Sequence, residues 1–178
     1  SEAFNEIAPQ LEERANTLHA MEMAKEVQES LLPLQSPHIK GLDIAGQTSF
    51  CDQTGGDYFD FLESETDDSE LLIAIGDVSG HGIDAALLMT TARSTLRTLF
   101  HMGCKLEGIV NHLNRIFSRD TYGTGHFMTF FLCRLTGRGE RIRWIRAGHE
   151  APLLYDPISD IFSRLRGKGM ALGVDPNY

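Results

Sequence analysis

The spacing of apolar residues divides the chain into a long helix, a group of strands, two helices and a second group of strands. Residues 1–32 read as helical. Leu11, Ala15 and Leu18 follow Pro9 at helical spacing, with Pro9 suited to a first helical position. Ala20, Ala24, Val27 and Leu31 continue in a shifted register, so the apolar stripe slips phase near His19. Leu32-Pro33 ends this helix, and Pro37 keeps the next segment extended. Leu42, Ile44, Thr48 and Phe50 predict a strand leading into the polar turn Cys51-Asp52-Gln53-Thr54. Residues 57–62 and 71–77 flank a polar patch, 63–70, and predict an antiparallel hairpin. Leu71 to Ile75 is apolar at nearly every position, the pattern of a strand covered on both faces.

Helical periodicity returns at Ile83 and runs to Leu99, where Met102-Gly103 stops it. Leu106, Ile109, Val110, Leu113, Ile116 and Phe117 give a second amphipathic helix. Phe127–Leu135 and Arg141–Ala147 predict another hairpin, followed by strands at Leu153–Tyr155 and Ile161–Leu165. Helices grouped between antiparallel hairpins indicate an α+β layered domain, not a doubly wound parallel sheet.

The hairpin of residues 57–77 changes the reading from fold to chemistry. A loop centred near Asp67 pairs Asp57 with Asp77, and directly opposed residues have Cβ atoms roughly 4.5–5.5 Å apart. Two carboxylates so placed require a cation, a shared proton or open water, and a cation is the leading expectation. Mg²⁺ and Mn²⁺ take oxygen ligands and retain several waters. Glycines at 55, 56, 76, 80 and 82 keep the rim narrow. Two ions roughly 4 Å apart acidify a bridging water for in-line attack on phosphorus. Asp52 and Asp60 are candidates for supporting roles around such a site or for plain solvated carboxylates. His81 and His149, both in glycine-rich turns, are expected in structural or rim roles rather than as ligands or bases.

Charge supports this placement. The formal net charge is −9, which argues against nucleic acid as a partner. No Lys or Arg lies between Lys40 and Arg93, an interval holding eleven Asp and Glu, whereas residues 93–178 carry thirteen Lys and Arg against seven acids. Arg134, Arg138, Arg141, Arg143 and Arg146 form either the wet face of a hairpin or a grip for a phosphorylated partner. Cys51, Cys104 and Cys133 show no metal-ligand spacing and suit a reducing, cytoplasmic setting. No stretch approaches the roughly 18 apolar residues of a membrane span, so no membrane partner is expected. A start at Ser1 without methionine suggests a piece of something longer. Residues 1–19 are read as a connector helix or short coiled coil, with scope for a homodimer, and 20–178 as the domain.

Other motifs fail. Gly76, Gly80 and Gly82 match neither a dinucleotide fingerprint nor a phosphate-binding P-loop. Gly55-Gly56-Asp57 shares the start of a diguanylate-cyclase signature, but Tyr58-Phe59 stands where Glu-Phe follows.

Taken in order, Val27-Gln28-x-x-Leu31-Leu32-Pro33, Gly55-Gly56-Asp57-Tyr58-Phe59-Asp60, Gly76-Asp77-Val78-Ser79-Gly80-His81-Gly82, Ala85 to Met89, Ala147-Gly148-His149 and Ala171-Leu172-Gly173-Val174 closely resemble the SpoIIE/RsbU-type branch of the PPM (type 2C) serine/threonine phosphatases. The resemblance spans residues 20–178. It implies an α-β-β-α sandwich holding a Mn²⁺ or Mg²⁺ pair, with Asp57 and Asp77 as metal ligands and catalytic residues and Val78 contributing its carbonyl. It also implies a phosphoserine or phosphothreonine protein substrate, typically an anti-sigma-factor antagonist. Upstream sensory or receiver modules, as in two-component signalling, are coupled in this branch through the segment 23–33. The branch has further metal-binding aspartates in a Thr-Asp-Gly turn downstream of the Leu-Gly-Val motif. Asp156, Asp160 and Asp175 lie outside those contexts, so the domain is expected to be incomplete at its C-terminus, to bind metal poorly and to show weak or no activity. Arg146 stands where an Asn often precedes the Ala-Gly-His turn. The competing readings are a non-catalytic phosphoprotein-binding module of the same fold and a nucleotide-processing enzyme.

Overall fold

A computed structural model describes residues 2–48 and 54–178, with side chains at 7 and from 9 onward. The chain runs α1 (Glu2–Leu31), β1 (Asp57–Glu63), β2 (Leu71–Val78), α2 (Ile83–His101), α3 (Leu106–Asp120), β3 (Met128–Thr136), β4 (Arg141–Ala147), β5 (Leu153–Asp156) and β6 (Ile161–Arg164). β1 to β4 form an antiparallel sheet in sequential order, and β5 pairs with β6 in a separate ribbon.

Strand alternation decides what each face does. Tyr58, Asp60 and Leu62 of β1, Leu72, Ala74 and Val78 of β2, and Met128, Phe130 and Leu132 of β3 all turn towards the helices and are buried. Against them α2 places Ala85, Met89, Ala92, Leu96 and Phe100, and α3 places Leu106, Ile109, Leu113 and Phe117. These side chains form one continuous core. α2 ends at Met102, with Gly103 in the left-handed region (φ 73°) turning the chain into α3. Each helix and hairpin read from periodicity after residue 57 is present within a few residues of its expected limits.

Three expectations need correction. Residues 42–48 join no ladder among the described residues, and 49–53, including Cys51 and Asp52, fall outside them. Here Gly46 packs so closely on Phe59 and Phe61 that a Cβ would lie 2.7 and 2.8 Å from their rings. The contact is thus made by side chains, not strand hydrogen bonds. Second, β2 is covered unevenly on the face away from the helices: Leu71 there is 0 % exposed, whereas Ile75 is 40 % exposed. Besides β1 and β2 themselves, residues 43–48 and His149 line the cavity over that face among the described residues.

Third, α1 is a single helix that continues through Pro9, which forfeits one helical hydrogen bond. Its buried position is not Val27, 62 % exposed, but Gln28, 3 % exposed. The reason is polar. Gln28 Nε2 donates to the Gly55 carbonyl (2.6 Å), and Gly55 N–H donates to Gln28 Oε1 (3.2 Å). A loop crossing under a helix brings unpaired backbone groups, and an amide side chain satisfies both at once.

Candidate active site

The sequence places Asp57 opposite Asp77, and the β1–β2 register does so. Val78 N–H donates to the Gly56 carbonyl (3.1 Å), so residues 56 and 78 form a hydrogen-bonded pair. The next rung, 57 and 77, is then a non-hydrogen-bonded pair, the kind in which side chains stand closer. Both carboxylates lie on the face away from the helices and line a cavity of about 560 Å³ with Phe59, Ile75 and His149. Partial desolvation and the Asp57 charge hold the Asp77 carboxyl above the usual range, opposed by His149. An acidic pair in that state favours any cation that neutralises it.

Gly56 keeps the mouth narrow. A Cβ there would lie 2.3 Å from the Val78 carbonyl oxygen, so only glycine leaves that oxygen open. Among the described residues no group of three or more His, Cys, Asp or Glu converges on one point. The acidic groups lining the cavity among the described residues include the two carboxylates of Asp57 and Asp77. That pair suits a hard divalent cation whose remaining positions are water.

The site extends along the sheet beyond the two aspartates. Thr129 of β3 is the partner of Asp77, continuing the row from Asp57. Thr129 Oγ1 lies 2.8 Å from His149 Nδ1. Desolvation lowers the His149 pKa, opposed chiefly by the Asp77 charge. Arg146 Nη1 donates to the His149 carbonyl (2.6 Å) and its Nε to the Gly167 carbonyl (3.0 Å), fixing the turn after β4. The glycine turn after β2 is tied to the loop before β3, where Ser79 O meets His126 Nδ1 at 2.8 Å. His81, in the same turn, is exposed.

Asp60 is a correction. Three residues from Asp57, it points to the opposite face and is 0 % exposed. It accepts from Arg97 Nε (2.8 Å) and Nη2 (2.7 Å) of α2, from Tyr58 Oη (2.9 Å) and from Phe61 N–H (2.9 Å). Burial first, and then the Asp60 charge, push the Tyr58 phenol well above its ordinary range. Asp60 is thus a buried brace between strand and helix, away from the acidic pair. Periodicity alone gives no sign of Arg97, Gln28 or Thr129, because each acts across a long sequence gap.

The arginine-rich hairpin is largely occupied internally. Arg134 pairs with Glu70 (3.1 Å) and donates to the Cys104 carbonyl (3.0 Å), while Arg143 pairs with Glu107 (3.0 Å).

Comparison with known proteins gives a consistent picture. The Stage II sporulation protein E (SpoIIE) family matches residues 67–178. Phosphoserine phosphatase RsbU of Bacillus subtilis (strain 168) is 30 % identical over 158 residues, covering 89 % of this chain and 46 % of that protein. The chain therefore spans less than half the length of that relative. The structure of the RsbU and RsbW domains of Rv1364c from Mycobacterium tuberculosis is similar with a TM-score of 0.59 and 25 % identity, covering 72 % of this chain and 35 % of that one. The SiaA-PP2C domain of Pseudomonas aeruginosa is similar in fold, with a TM-score of 0.64 and 17 % identity over 90 % of this chain and 64 % of its own.

Proposed function

Since the chain belongs to the SpoIIE family of PPM-type phosphatases, we propose that it is the metal-dependent catalytic domain of a signalling protein, hydrolysing phosphoserine or phosphothreonine on a regulatory protein. The observation that carries this reading is the direct cross-strand opposition of Asp57 and Asp77. An anti-sigma-factor antagonist is the expected class of substrate, and the cytoplasm the expected setting. Residues 1–19 serve as connector to an upstream sensory or receiver module, with residues 20–178 as the phosphatase domain.

Asp57 and Asp77 would hold Mn²⁺ or Mg²⁺, with the Val78 carbonyl beside them. When bound, such ions supply charge neutralisation and a water acidic enough to attack phosphorus. The chain's own contributions are distinct. The β1–β2 ladder orients both carboxylates to one face, Gly56 leaves the Val78 oxygen accessible, and Gln28 holds the approach to Asp57.

The test is phosphate release from a phosphoserine peptide with Mn²⁺ or Mg²⁺, compared with Asp77→Asn and with chelator. Metal-dependent release abolished by Asp77→Asn supports the reading; release indifferent to both overturns it. The binding-module alternative rests on the arginine-rich hairpin, and the internal pairing of Arg134, Arg143 and Arg146 weighs against it.

A further inference from the structure

His149 has one ring nitrogen engaged and one free among the described contacts. Nδ1 meets Thr129 Oγ1 at 2.8 Å, and Thr129 itself sits beside Asp77 in the sheet. The backbone is equally held. Gly148, in the left-handed region at φ 69°, donates its N–H to the Gly169 carbonyl (3.0 Å), and Arg146 clasps the His149 carbonyl. A ring fixed at Nδ1 and at its main chain has Nε2 as its working atom. That ring lines the same cavity as Asp57 and Asp77.

We propose that His149 contacts the substrate, donating a hydrogen bond from Nε2 to a phosphoryl oxygen, with Thr129 as the positioning residue that fixes the ring. The inference rests on the phosphatase reading above. A phosphorylated side chain entering this cavity meets two carboxylates, and the described lining contains no Lys or Arg. Any donor that the described lining itself adds to a bound cation is therefore a neutral group, and an imidazole N–H beside the acidic pair is well suited. In this proposal the Thr129 hydroxyl is the donor to Nδ1, which leaves the ring proton on Nε2. The alternative, a metal ligand at Nε2, is disfavoured because His149 does not converge with Asp57 and Asp77 on a shared point among the described residues.

The experiment uses the full chain with Mg²⁺, comparing His149→Gln, His149→Asn and Thr129→Val. Gln reproduces a donor near Nε2, whereas Asn reproduces one near Nδ1. The expected result is a rise in KM of at least tenfold in His149→Asn, equal weakening of inhibition by inorganic phosphate, a smaller change in His149→Gln, and an unaltered half-maximal metal concentration. Thr129→Val is expected to fall between them. An altered metal requirement at unchanged KM overturns the proposal, as does a lowered melting temperature with unchanged KM. A second readout is independent of turnover: inorganic phosphate titrated into the wild-type chain is expected to shift the His149 Nε2–H resonance, and no shift overturns the inference. Phosphate release indifferent to chelator and to Asp77→Asn sinks the phosphatase reading; in a chain too weakly active to give a KM, as the sequence leads one to expect, the resonance alone decides the role of His149.

Discussion

Gln28 and Gly55, 27 residues apart, exchange two hydrogen bonds across the boundary between α1 and the loop that delivers Asp57. The amide at position 28 satisfies a donor and an acceptor that the crossing loop leaves without ladder partners. Gln28→Ala removes both partners and is expected to cost about 1–3 kcal/mol. Gln28→Glu keeps an acceptor for Gly55 N–H but sets a charge against the Gly55 carbonyl, and is expected to be no better. Thermal unfolding measures both, and divalent-cation affinity is expected to fall alongside because Asp57 is two residues away.

Asp77→Asn is expected to raise the stability of the metal-free chain while abolishing metal-dependent turnover. Like charges facing directly across a ladder are destabilising, and a neutral amide removes that repulsion. The sign is distinctive. The carboxyl pKa of Asp77 is raised, so its neutral form is favoured on folding and the metal-free wild type loses stability as pH rises through the carboxylate range. Melting curves against pH, without metal, check this; a less stable Asp77→Asn would count against the pairing as described.

Arg97→Ala leaves the Asp60 carboxylate buried with two strong donors gone. Arg97 is 35 % exposed and Asp60 keeps the Tyr58 and Phe61 donors, so the cost is expected to fall below the roughly 3–5 kcal/mol of breaking a fully buried pair. Arg97→Lys is expected to recover only part of the loss, since a lysine ammonium does not reproduce the two-pronged contact. Denaturant unfolding of the single variants and of Asp60→Asn with Arg97→Ala separates the pair from its context.

Burial pushes the Cys133 thiol up to about 11. Cys133 in the native chain is therefore expected to resist alkylation at pH 8, and to react once the chain is unfolded, with the modified residue identified by peptide mapping. The raised value also sets a pH window. Its stabilising contribution is complete below the ordinary thiol range and is lost as pH rises towards about 11. A wild-type stability that falls more steeply than that of Cys133→Ala over this window is the expected result.

What the sequence discloses and what it hides divide along the length of the interaction. The Asp57–Asp77 pairing is legible because a hairpin with a short polar loop leaves little freedom of register. α2 and α3 are legible because each buries one periodic face. Residues 42–48 read as a strand by composition, yet Gly46 presses on two phenylalanine rings and no ladder forms among the described residues. Val27 stands in the apolar register of α1 with Ala20, Ala24 and Leu31, but the unpaired backbone of Gly55 selects Gln28 for burial. Asp60 looks like a neighbour of the acidic pair until strand alternation turns it towards Arg97, 37 residues away. Thr129 and His149 become a pair only when β3 and the turn after β4 meet. In each case the deciding partner is remote in sequence, where local pattern carries no information.

The alternation along β1 ties folding and chemistry to a single ladder. Sliding β1 by one rung would send Tyr58 and Asp60 out to solvent and drive Asp57 into the oily interior. The loop at 64–69 can thus be lengthened, whereas an insertion within 57–62 abolishes the acidic mouth and the packed interior together. Loss of catalysis by that route leaves no intact but inert relic behind.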